Sequence, residues 1–131
     1  MMRTVREQLE TRRGASHPET LMVTTDYAML LRDLGRLDEA RDLAEDARAR
    51  YEALLGDAHP YPAGLLDDCA LIQRCQGDHE GALPRAEQAR TRMERALGAG
   101  HVWSVGAALN NASARAAAGD VRGGGGGPGR G

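Results

Sequence analysis

Three histidines, His17, His59 and His101, each close a Gly-x-x-His stretch and stand 42 residues apart. Histidine is the side chain best suited to proton transfer and metal binding near neutral pH. Catalysis, however, needs a nucleophile, a base and an orienting group within reach of one another. Side chains one period apart along an array do not converge on one atom, so these three read as helix-entry residues. Cys69, Cys75 and His79 give the spacing C-x5-C-x3-H, whereas zinc sites use tight pairs such as C-x2-C and a fourth ligand. On one helix the two thiols diverge by about 240° and cannot bond to each other. They read as reduced thiols, the cytosolic default. Asp67 and Asp68 are adjacent, so on a helix they point about 100° apart and do not close on a substrate as an acid–base pair would. The glycine run from Gly123 to Gly127 is followed by neither Lys-Ser/Thr nor a helix, as a phosphate loop requires. No catalytic, cofactor-binding or metal-binding constellation emerges, and the expectation is a protein that is not an enzyme.

The elements that carry these residues repeat at the same step. Ala28, Ala70 and Ala112 are 42 apart, as are Gly35, Gly77 and Gly119; Ala40 pairs with Ala82 and Ala47 with Ala89. A period of this length is the mark of a stacked array of supersecondary units. The chain has 131 residues, no Phe and one Trp, so its core must come from Leu, Ala, Met, Ile and Val in closely packed helices. All 17 basic residues are Arg and face 19 acids, for a net charge of −2. That balance forms no basic stripe, which excludes nucleic acid as the expected partner. No segment approaches the apolar length of a membrane span and the start lacks a leader-like apolar run. The expectation is a soluble, cytoplasmic protein.

Residues up to Arg13 carry Val5 and Leu9 on one helical face and end at Gly14, like the last turns of a helix. His17-Pro18 opens the next helix, since proline at the first helical position gives up an N–H that has no partner there. That helix stops at Gly35, and Asp38 begins its partner, which ends at Gly56. The second unit runs from Pro60 to Gly77 and then to Gly98. Pro84 is expected to make its second helix start late or bend. The third unit supplies one alanine-rich helix from about Val102 to Ala118. The domain boundaries that follow are 1–121 for the helical repeats and 122–131 for a Gly-rich, disordered tail.

The unit Gly-x-x-His-Pro, Leu21, Asp26-Tyr27-Ala28 and Gly35-Arg36-Leu37-Asp38-Glu39-Ala40 resembles the tetratricopeptide repeat. It is most similar to the 42-residue variety of kinesin light chains and many bacterial multi-repeat proteins. Thr20-Leu21, Leu55-Gly56, His59-Pro60 and Asn110-Asn111-Ala112 match that pattern piecewise. The Asn-Asn pair is replaced by Thr25-Asp26 and Asp67-Asp68 in the first two units. Gln73 and Arg115 occupy an apolar site of the family, held here by Leu31, so packing is expected to weaken toward the C-terminus. The resemblance implies an all-α, right-handed solenoid of about two and a half helical hairpins, whose first helices line a concave groove that binds a peptide or a partner protein. Met22, Asp26, Met29 and Asp33 of the first unit then face the groove. Asp67, Asp68, Leu71 and Arg74 do so from the second unit and Asn110 from the third. Four acids against few arginines make the expected ligand a basic or amide-rich extended segment.

The alternative is structural. An array that opens and closes part-way through a repeat exposes apolar faces, because end repeats normally carry a polar cap. Such a chain acts as a self-associating homo-oligomer or as a fragment of a larger multi-repeat regulatory protein.

Overall fold

Every repeat starts with the same local device. His17 and His59 hold extended backbone (φ −66°, ψ 140° and φ −81°, ψ 142°) and cap the helices that follow. Their Nδ1 atoms accept the N–H groups of Glu19 and Tyr61 at 3.2 and 3.1 Å. His101 does the same for Trp103 at 3.1 Å. Each satisfies one of the donors that a helix start leaves without a partner. The histidines are therefore helix-entry residues, as their spacing suggests.

The computed structural model describes residues 2–14 and 16–122. Among them are six helices: α1 (Met2–Arg13), α2 (Pro18–Asp33), α3 (Leu37–Leu55), α4 (Pro60–Cys75), α5 (His79–Leu97) and α6 (Val102–Arg122). The chain is all-α, a solenoid of helical hairpins. Gly35 reverses the chain between α2 and α3 with φ 81°, a left-handed conformation that a Cβ disfavours. There Arg36 donates its N–H to the Leu31 carbonyl at 2.9 Å and Gly35 donates to Arg32 at 3.0 Å, a Schellman closure. Gly77 closes α4 in the same way, with Asp78 donating to Gln73 at 2.9 Å.

Two expectations about helix limits change. α5 starts at His79, one period after the Leu37 that starts α3, so Pro84 neither delays nor interrupts it. Its first turn is secured by the Asp78 carboxylate, which accepts the Gly81 N–H at 3.0 Å. Pro84 lies past the first turn and costs a helical hydrogen bond, yet the cap and the buried face of Ala82, Ala86, Ala89 and Met93 carry the helix through it. α6 does not stop at Ala118 but continues through Gly119 to Arg122. Its alanines favour the helix strongly enough to carry it past one glycine. Of the tail expected to be disordered over 122–131, Arg122 instead closes α6, and residues 123–131 lie outside the described residues.

The core is built from small side chains around a few large ones. Ala28, Leu31, Ala40, Ala44, Cys69 and Ile72 form the central cluster, and Leu21, Ala47 and Leu65 a second one. Ala63, Met93 and Ala107 join α4, α5 and α6. Cys69 is buried while Cys75 is exposed, and both are free thiols. Gln73, in the slot that Leu31 fills one period earlier, is buried and donates to Asp78 at 3.0 Å, thereby holding the α5 cap in place. Packing does not thin steadily toward the C-terminus as expected: α4 buries eight residues against five in α2, and α5 four against three in α3. α6 buries Ser104, Ala107, Asn111, Ala114 and Ala118 but leaves Trp103, Val105 and Leu109 exposed. α1 is thinner still and buries no residue.

The second helices of neighbouring repeats are joined by charge. Arg85 pairs with Glu45 and Arg92 with Glu52 at 2.8 Å, and the uncharged Gln76, in the turn between α4 and α5, donates to Asp38 at 2.6 Å. Glu45 also meets Arg41 and Arg48 along its own helix.

Candidate functional site

The first helices of the three repeats place equivalent positions side by side. Met22, Gly64 and Gly106 are one period apart, and so are Asp26, Asp68 and Asn110; all six line one cavity of about 530 Å³. Tyr61 and Trp103, also one period apart, form its apolar wall, joined by Tyr51 of α3 and Met93 of α5. The glycines create the room. A Cβ at Gly106 would meet nothing within 4 Å, and one at Gly64 would lie 3.7 Å from the Met93 methyl.

The aromatic wall is continuous. Ring centroids of Tyr51 and Tyr61 are 5.8 Å apart in an edge-on arrangement, and those of Tyr61 and Trp103 are 6.2 Å apart. The capping imidazoles extend it, with His59 4.7 Å from Tyr61 and His101 5.7 Å from Trp103. Such contacts fix ring positions and leave their faces available. At 6.2 Å, Tyr61 and Trp103 make a ledge rather than a slot.

The acids lie about two turns further along α4. Asn110 donates its Nδ2 to one Asp67 oxygen at 2.7 Å, and the other oxygen, Oδ1, is buried without a partner. Burial pushes the Asp67 carboxyl up to about 6, against the opposing effects of Asn110 and Arg74. Burial together with the Asp67 charge pushes Asp68 up to about 7, while Arg32 works the other way. Desolvation penalises the charged form of each, and the Asp67 charge further penalises that of Asp68. Arg32 and Arg74 do not neutralise the pair directly: Arg32 lies 3.2 Å from Asp33, and Arg74 donates to the Asn110 carbonyl at 3.5 Å. Tyr51 is raised as well, by burial first and then by Tyr61, with Asp26 also contributing.

Of the nine residues expected to face the groove, Met22, Asp26, Asp67, Asp68 and Asn110 line this cavity; Met29, Asp33, Leu71 and Arg74 are not among its lining. Met29 packs against the central core cluster. Asp33 is an exposed partner of Arg32 at the end of α2. Arg74 bridges from α4 to the backbone of α6. The aromatic wall, in contrast, is not among the residues expected from the sequence. Tyr61 and Trp103 stand at the repeat step where the first unit has Glu19, and that succession was the signal available.

The tetratricopeptide repeat model matches residues 19–95, which run from the first turn of α2 to the last turn of α5. This chain belongs to the tetratricopeptide repeat family. The 42-residue kinesin-light-chain-like variety fits that family broadly, and the hairpins, caps and period described above are those of such repeats. No curated protein matches the sequence. Tetratricopeptide repeats are in general protein-interaction scaffolds rather than catalysts. Among the described residues, no helix is long and apolar enough to cross a membrane, and no group of three metal-binding side chains comes together.

Proposed function

We propose that this tetratricopeptide repeat chain is a non-catalytic, cytoplasmic binding module that holds an extended, basic segment of a partner protein in the groove formed by α2, α4 and α6. One observation carries the reading: an aromatic-walled cavity ends in the carboxylates of Asp67 and Asp68, neither of which has an ion-pair partner among the described residues. Unpaired acids in a partly desolvated groove favour cationic or amide-bearing ligands. The test is an unbiased peptide library screened against the wild type and the Asp26→Arg/Asp68→Arg variant, with circular dichroism to verify the fold. Retained peptides rich in Arg, Lys, Asn or Gln, and lost by the folded variant, support the module. Retention of acidic peptides, or equal retention by both proteins, refutes it.

A second reading is self-association, favoured by the outer face of α6. Val105, Leu109, Ala112 and Ala116 recur there at helical spacing and are all exposed, Leu109 by 65%. Sedimentation equilibrium over a hundredfold concentration range tests it. A constant monomer mass eliminates this reading.

A further inference from the structure

The groove differs along its length in a way that narrows the ligand. At the first repeat Met22 projects where Gly64 and Gly106 leave space, and Glu19 stands where Tyr61 and Trp103 supply rings. The aromatic part of the cavity is thus carried by α4 and α6, with Tyr51 of α3 beside them. Within it the chemistry runs from apolar to acidic. Tyr61 and Asp68 are seven residues apart on α4, about 10 Å along the axis. A ligand that fills this stretch is apolar where it lies on the rings and cationic where it reaches the carboxylates.

We infer that the cavity between α4 and α6 is a recognition pocket for one arginine side chain of the bound segment, its aliphatic stem on the Tyr61–Trp103 ledge and its guanidinium on Asp67 and Asp68. This rests on the groove-binding reading and specifies it. The Asp68 carboxylate lines the cavity and has no ion-pair partner among the described residues, and a guanidinium brings five N–H groups in a planar fork that matches a carboxylate. It is also less strongly hydrated than an ammonium and stacks on aromatic faces. Those traits favour arginine over lysine in a site that is half apolar.

Titration supplies a second signature. The groups around the acid pair are Asp26 and Arg32 from α2, Tyr51 from α3, Arg74 on α4, which acts on Asp67, and the uncharged Asn110 from α6; α5 contributes the neutral Met93 to the cavity. With Asp67 and Asp68 titrating near 6 and 7, a cation that binds their ionised forms binds more tightly as pH rises through that range. It releases protons as it binds.

The experiment uses the whole chain and a set of identical Gly/Ser hexapeptides that differ only at a central residue: arginine, lysine, glutamate or citrulline, the neutral isostere of arginine. Trp103, the only tryptophan in the chain, reports occupancy by fluorescence, and calorimetry gives affinity and proton release. The expected result is perturbation of Trp103 by the arginine peptide, with at least tenfold preference over citrulline and a severalfold preference over lysine. Affinity should rise about tenfold from pH 5.5 to 8, and the rise should shrink to the severalfold part due to Asp67 in Asp68→Asn, whose fold circular dichroism verifies. Citrulline or lysine binding as well as arginine overturns the inference, as does an arginine peptide that leaves Trp103 unperturbed. The unbiased library separates the two levels. Groove-bound peptides without arginine preference sink this inference alone, whereas no bound peptide at all sinks the groove reading with it.

Discussion

The seam between α3 and α5 and the face formed by α2, α4 and α6 carry similar residues and treat them in opposite ways. On the seam, Glu45 and Glu52 each meet two or more arginines, and Asp38 and Arg41 share Gln76. On the other face, Asp67 and Asp68 sit together with one side-chain donor, from Asn110, and two arginines directed elsewhere. A near-neutral chain therefore contains a charge-matched region and a charge-mismatched one. Matched charges hold repeats in register, while mismatched ones raise the free energy of the empty groove and leave a partner something to gain.

The largest test of that contrast is Asp68→Asn. The folded-state value of Asp68, about 7, lies above the ordinary one near 3.9, so the folded state favours the protonated form. The corresponding stability is fully present at low pH and is lost as pH rises through about 7. From pH 5 to 8 the wild type should lose roughly 3 kcal/mol through this group, and Asp68→Asn should be more stable by a similar amount at pH 8. Urea melts at both pH values measure this, and parallel pH slopes for the two proteins would refute the mismatch. Next is Glu45→Arg on the seam, which sets a fourth cation beside Arg41, Arg48 and Arg85. It should destabilise by about 2 kcal/mol with peptide affinity unchanged at temperatures where the variant is folded. A stable Glu45→Arg protein would mean that the seam contributes nothing to register.

Gly106→Ala should stabilise by about 0.5–1 kcal/mol through helix propensity alone, because the new methyl meets no neighbour within 4 Å. A measured loss of stability would show that the groove wall is closer packed than described. The smallest effect is expected for Asp33→Ala. Among the described residues that exposed acid pairs only with its neighbour Arg32, so stability should change by less than about 0.5 kcal/mol and peptide binding not at all. A clear loss of binding would extend the site along α2 beyond the cavity.

The step of 42 made the hairpins readable, because capping histidines, turn glycines and packed alanines each recur for a local reason. It made the site readable in part. Asp26, Asp68 and Asn110 could be found as equivalent positions on the first helices. Met29, Asp33, Leu71 and Arg74 follow from the same logic and fall outside the cavity: Met29 packs on the core, Asp33 turns to Arg32, and Arg74 crosses to the α6 backbone. That bridge depends on how far apart two helices lie, which no single-helix pattern encodes. Tyr51 and Met93 come from second helices, so a rule restricted to first helices could not include them. The limits of α5 and α6 went astray where one residue, Pro84 or Gly119, was given more weight than the cap or propensity around it.

Apart from α4 against α6, the helices pack mainly on the helices next to them in sequence. The entropy lost in closing long loops is therefore largely avoided, and the chain should fold rapidly for its length. The same arrangement lets it open piecemeal. α1, with nothing buried, should exchange its amide hydrogens first, while those of α4, flanked by α3, α5 and α6, should be the last to open. The pocket's acids and Tyr61 are carried on that slowest element, so a ligand that comes and goes meets a wall already in place.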